Sequence, residues 1–140
     1  MKFELKRDKI LRVLTFGTFD VFHIGHLRLL ERAKGLGTKL IVGVSSDQMN
    51  FKKKGRFPIY TQVERMDIVA ALSCVDNVFL EESMEKKRQY LLENKADVLV
   101  MGDDWEGRFD EFNDICKVIY LARTFGISTT QTIEKIRKYE

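Results

Sequence analysis

Residues 15–34, TFGTFDVFHIGHLRLLERAK, decide how this chain is read. The stretch opens as the end of an apolar segment (RVLTF, 12–16) that stops at Gly17, and it closes in leucines at helical spacing, HLRLLERAKGLG, running to Gly37. An apolar run, a glycine-bounded turn and an amphipathic segment make a strand, a turn and a helix. The turn carries His23 and His26, the only histidines among 140 residues, on either side of Ile24 and Gly25. Three residues apart on a first helical turn, the two imidazoles share one side. The helix start beside them offers unpaired N–H groups and a partial positive charge, which together make an anion site. Imidazole N–H groups there can bond phosphate oxygens and stabilise charge that builds at a reacting phosphorus. Histidines also pack in cores or bind metals, but no further His- or Cys-rich stretch completes a transition-metal site. Gly17 lets a ligand approach the backbone.

Outward from this unit the pattern repeats. KLIVGVS (39–45) is apolar along its length, as strands buried on both faces are, and a helix with Val63, Met66, Val69, Ala70 and Leu72 on its apolar face follows over 61–73. NVFL (77–80), DVLVMG (97–102) and VIYL (118–121) read as further strands, and MEKKRQYLLEN (84–94) as a charged helix. A polar helix over 129–138 is capped by Ser128 or Thr129. The expected fold is α/β: a single Rossmann-like domain over 1–140, with a five-stranded parallel sheet and helices on both faces. Ligands of such sheets bind beyond the carboxyl ends of the strands. The loops 17–26, 45–56, 102–109 and 122–129 are therefore the places to look for chemistry.

Composition narrows the class. With 24 basic and 21 acidic residues the net charge is +3, too balanced to indicate a nucleic-acid partner. The start, MKFELKRDKI, lacks the apolar segment of a secretion signal, and the longest apolar runs have strand length, so a cytoplasmic protein without a membrane segment is expected. Cys74 and Cys116 stand far apart among apolar or helical neighbours, as reduced, buried thiols do.

Three ordered blocks carry a resemblance. GTFDVFHIGH (17–26) resembles the signature of the nucleotidyltransferase superfamily that includes cytidylyltransferases, pantetheine-phosphate adenylyltransferases and class I aminoacyl-tRNA synthetases. RTFGISTT (123–130) is similar to the cytidylyltransferase signature RTEGISTT, with Phe125 where the pattern has Glu, and it favours CTP over ATP. VMGDDWEGRFD (100–110) resembles the glycerol-3-phosphate cytidylyltransferases in particular. The likeness spans about residues 12–136 and leaves the first ten residues as an extension without an assigned role.

The resemblance implies transfer of CMP from CTP to sn-glycerol 3-phosphate, with Mg²⁺ accompanying the nucleotide and a homodimer as the assembly. It places the backbone of Gly17, Thr18 and Phe19 against the nucleotide, and His23 and His26 on the triphosphate. Arg123, Thr124, Ser128 and Thr129 would hold the nucleotide and its phosphates from the closing block. Among KKKGR (52–56), otherwise a solvated basic loop, Lys53 aligns best with a phosphate-binding lysine of the family. Arg65 matches a family arginine that contacts the acceptor phosphate or the triphosphate; an exposed helix arginine is the other reading. Asp103 and Asp104 either bond hydroxyls or a hydrated Mg²⁺, or belong to a solvated turn. Trp105, the single tryptophan, either walls the acceptor pocket or packs. A synthetase reading fails on length, a silent binding module is opposed by the intact blocks, and a cytidylyltransferase for another phosphorylated alcohol or amino alcohol, or an adenylyltransferase, is the alternative.

Overall fold

The computed structural model describes residues 9–139. Five apolar segments form the strands β1 (Arg12–Gly17), β2 (Lys39–Ser45), β3 (Asn77–Glu81), β4 (Val98–Gly102) and β5 (Lys117–Leu121). They lie side by side in the order β3-β2-β1-β4-β5, every pair parallel. The α-helices are α1 (Ile24–Lys34), α2 (Asp47–Lys54), α3 (Gln62–Ala70), α4 (Lys87–Glu93) and α5 (Thr129–Lys138).

Alternation along the strands explains the layers. Val13, Leu40, Val42, Val44, Val98 and Val100 point to one face, where Leu30 and Ala33 of α1 and Val69 of α3 cover them. Leu14, Phe16, Ile41, Leu99 and Met101 point to the other and meet Tyr90 and Leu91 of α4 together with Phe109 and Phe112. Each central strand is thus apolar on both sides, which is why its sequence shows no polar alternation. The expected α/β architecture, five parallel strands between helices, is the one found.

Several boundaries differ from the sequence reading. Residues 45–56, expected as a loop, hold α2. Ser46 caps its start by accepting a hydrogen bond from Met49 N, and Gly55, in the left-handed region at φ 72°, closes it with its N–H on Phe51 O. Asp47 in the first turn and Lys52, Lys53 and Lys54 in the last complement the helix dipole. The helix has no apolar stripe, since Asn50 is its one buried residue, and periodicity therefore missed it. The helix expected over 61–73 stops at Ala70, and that over 84–94 divides into a 3₁₀ turn (Met84–Lys86) and α4. Ser128 caps α5, accepting from Gln131 N. Most of the expected N-terminal extension, residues 1–8, lies outside the described residues. Cys74 and Cys116 are free thiols, and no helix among the described residues is long and apolar enough to cross a membrane.

Candidate active site

A cavity of about 710 Å³ opens beyond the carboxyl ends of all five strands, reached by Gly17, Ser45, Glu81, Gly102 and Leu121. It straddles β1 and β4, where the strand order reverses, the position a parallel sheet leaves open for ligands. Its volume is in the range of small-molecule sites.

The histidine turn forms one wall. Phe19 and Val21 both have positive φ, at 55° and 45°, a costly conformation for residues with a Cβ and most so for a β-branched valine. Asp20 between them holds the turn: its carboxylate accepts from Val21 N (3.1 Å), Tyr60 N (2.9 Å) and Ile59 N (2.8 Å). The Phe19 ring folds back over Gly17, where a Cβ would stand 2.9 Å from the ring, so this packing needs the glycine.

His23 caps α1. Its Nδ1 accepts from Gly25 N (3.0 Å), while Nδ1 of His26 accepts from His23 N (3.2 Å). With each Nδ1 occupied as an acceptor, the neutral rings carry their protons on Nε2. The two imidazoles stack, 3.7 Å between centroids. Burial lowers the pKa of both; for His26 it falls to about 4, through burial first and the neighbouring His23 second, against the opposing pull of Asp20. Two neutral Nε2–H donors result at a helix N-terminus. Gly25 is required beside them, because a Cβ there would lie 2.9 Å from the His23 ring. Thr129 at the start of α5 joins the same network: its hydroxyl donates to Asp20 O (3.0 Å) and sits 3.4 Å from His23 Nε2.

Arg65 occupies a place that neither sequence reading foresaw. It is fully buried and its side chain is not part of the cavity wall. Its guanidinium donates to Tyr60 O (3.0 Å), Thr18 O (2.8 Å), Ser45 O (2.8 Å) and Asp47 Oδ1 (2.7 Å). Those bonds tie the ends of β1 and β2, the start of α2 and the 57–61 segment into one frame behind the site. In this geometry Arg65 is a positioning residue, with its donors spent on the protein.

The opposite wall is cationic. Lys53 stands with its ammonium 4.1 Å from the centre of the Trp105 ring, a cation–π contact, and partial burial together with Lys54 and Arg108 lowers its pKa. Lys54 and Arg56 line the same wall. Deeper in, Lys87 Nζ and Glu81 Oε2 are 2.8 Å apart and almost wholly buried. Burial pulls the lysine pKa down and pushes the carboxyl pKa up, and each partner opposes the other's neutralisation. At the mouth, Arg123 Nε lies 3.4 Å from Asp104 Oδ2, with both side chains more than half exposed.

The cavity therefore gathers Gly17, Thr18, Phe19, His23, His26, Lys53, Trp105, Arg123, Thr124, Ser128 and Thr129 from the residues singled out in the sequence. Arg65 stands behind it, and the exposed Asp103 is not part of the lining while its neighbour Asp104 is. Phe125 is fully exposed and lines nothing. Glu81 and Lys87 went unnoticed because a glutamate ending a strand and a lysine starting a charged helix look like surface residues. Only their common burial distinguishes them.

Known proteins resemble this chain over most of its length. The glycerol-3-phosphate cytidylyltransferase of Bacillus subtilis (strain 168) is 46% identical over 125 residues, covering 89% of this chain and 96% of that protein. The enzyme of the same name from Staphylococcus aureus is 42% identical over 125 residues, covering 89% and 94%. The crystal structure of a lipopolysaccharide core biosynthesis protein from Thermoplasma volcanium shares the fold, with a TM-score of 0.70 at 24% identity over 83% of this chain and 99% of the other. With the cytidylyltransferase-like family model matching residues 14–135, almost the whole span between the first strand and the last helix, the chain belongs to the cytidylyltransferase-like family.

Proposed function

We propose that this protein transfers CMP from CTP to sn-glycerol 3-phosphate, releasing pyrophosphate and forming CDP-glycerol. An oxygen of the acceptor phosphate attacks the α-phosphorus in line; a new P–O bond forms as the bond to the bridging oxygen of pyrophosphate breaks. The acceptor is already an anion at neutral pH, so no general base is needed, and catalysis consists of positioning and charge stabilisation. The observation that carries this reading is the pair of neutral imidazoles whose Nδ1 atoms are held by backbone N–H groups. Their Nε2–H groups are the preorganised donors for the oxygens of the reacting phosphorus. Arg123, Ser128 and Thr129 bind the nucleotide phosphates at the start of α5, and Lys53 serves the charge on the opposite wall. The names and extents of the Bacillus and Staphylococcus relatives support the choice of nucleotide and acceptor.

Mg²⁺ enters this reading as a companion of CTP. Mg²⁺ accompanying a nucleotide is held mainly by phosphates and water and needs only one or two carboxylates from the protein. Asp104 at the mouth is the side chain that would hold it, and the ion would neutralise triphosphate charge. Cytoplasmic location and a homodimer belong to the same proposal.

The test is pyrophosphate release measured for CTP, ATP, UTP and GTP against a set of phosphorylated alcohols. CTP with glycerol 3-phosphate is expected to give the highest kcat/KM. Comparable rates with ATP would move the protein to the adenylyl branch, and a preference for another acceptor would replace the substrate while keeping the chemistry. His23→Ala and His26→Ala are each expected to lose about a hundredfold or more in kcat, the effect of removing one preorganised donor.

A further inference from the structure

We infer that Glu81 is the residue through which this site selects a hydroxyl-bearing acceptor, its carboxylate accepting hydrogen bonds from the free hydroxyl groups of the phosphorylated alcohol. This rests on the acceptor reading above and extends it to a position that no sequence block marked.

Glu81 ends the edge strand β3, and its backbone is pinned where it stands, since Glu81 O accepts from Ser46 N (2.8 Å). The side chain is 2% exposed yet forms part of the cavity wall. Its Oε2 is paired with the Lys87 ammonium at 2.8 Å, and that single contact leaves most of the lone-pair sites of the carboxylate without a donor from the protein. Apart from that ion pair, it is with Thr15 Oγ1 one of two buried side-chain oxygens that no other donor serves among the described residues. Thr15 sits mid-strand in the sheet, away from the cavity. Glu81 is therefore a buried, cavity-facing acceptor short of donors, and such groups are costly until something donates to them.

The chemistry of the complement follows. An ionised carboxylate accepts only, so its ligand must bring O–H or N–H groups. A carboxylate-bearing acceptor would meet like charge at Glu81. An ammonium-bearing one would have to share the carboxylate with Lys87, whose own ammonium is fixed 3.9 Å from the centre of the Phe16 ring. A neutral polyol tail fits both constraints. Lys87 keeps the carboxylate in place and compensates its charge, so the hydroxyls meet an acceptor that needs no rearrangement. Sites built to bond a substrate hydroxyl reject analogues that lack it far more strongly than apolar pockets reject a missing methylene, because the analogue leaves the site's own group unpaired.

The experiment compares kcat/KM for glycerol 3-phosphate and for propyl phosphate, which keeps the phosphate and chain length and lacks both hydroxyls, at saturating CTP. The wild-type protein is expected to prefer glycerol 3-phosphate by about a hundredfold or more. In Glu81→Gln the preference is expected to shrink to about tenfold or less, mainly through a higher acceptor KM, with the CTP KM unmoved. A wild-type protein that handles the two acceptors within about threefold of each other overturns the proposal without any variant being needed. An active Glu81→Gln protein that keeps the full wild-type preference overturns it as well. A wild-type protein that turns over CTP with neither of them overturns the acceptor reading itself, and the two failures are thus distinct.

Discussion

Replacing Arg65 by lysine separates a frame from a ligand. The arginine serves four acceptors at 2.7–3.0 Å, three of them backbone carbonyls, from a fully buried position. Lysine keeps the charge but brings three donors on a tetrahedral nitrogen that cannot copy the planar fork. At least one acceptor, and by geometry two, would lose its donor inside the protein. Hydrogen bonds to charged groups contribute about 1.5–3 kcal/mol each, which puts the expected loss for two of them at about 3–6 kcal/mol. For a chain of this size that corresponds to a fall in Tm of about 10 °C or more. Urea unfolding followed by circular dichroism gives the free energy, and pyrophosphate release below the new Tm gives the kinetics. The expected result is a large stability loss with the acceptor KM changed by less than about threefold, since the side chain is absent from the cavity wall. A Tm within about 2 °C of wild type, together with an acceptor KM raised tenfold or more, would refute this reasoning and make Arg65 a substrate ligand.

Other expectations follow from the same geometry. His26 has a pKa of about 4 in the folded protein against an ordinary value of 6.5. As pH falls from 6.5 towards 4 the unfolded chain takes up a proton that the folded one refuses, so stability declines over that window by about 3 kcal/mol and is untouched above it. Urea midpoints across pH 4–8 should show this slope in the ligand-free protein, and His26→Gln should reduce it to the part that His23, whose pKa is lowered by burial as well, contributes in the same direction. Gly25→Ala should lower kcat by displacing the His23 ring while Tm changes little, because the gain of about 1 kcal/mol from alanine as a helix former offsets the loss of about 1 kcal/mol with the His23 cap; equal kcat in both proteins would show that the ring position is unimportant. Phe125→Glu, at a fully exposed position outside the cavity, should leave the acceptor ranking as it was and change the CTP KM only modestly. A changed ranking in acceptor profiles would bring that loop into the acceptor site.

The layered sheet and the histidine turn were legible in the chain alone. Apolar strands ending at glycine or polar loops, separated by helical spacing, leave a parallel arrangement as the way to bury both faces, and a histidine pair at a strand-to-helix turn stands out within ten residues. These are local signals, carried by neighbours in the chain. Tertiary structure decided the rest, because it depends on what lies across space. Arg65 became a buried tie only when Thr18, Ser45 and Tyr60 converged on it from three separate segments. The Nδ1 acceptance that fixes the protons of His23 and His26 on Nε2 came from backbone geometry at the helix start, which residue identity alone does not give. Glu81 and Lys87 are ordinary charged residues in the sequence, six positions apart and on different elements. Folding buried both at the floor of one cavity, where low polarisability turns a pair of surface-type charges into a preorganised site.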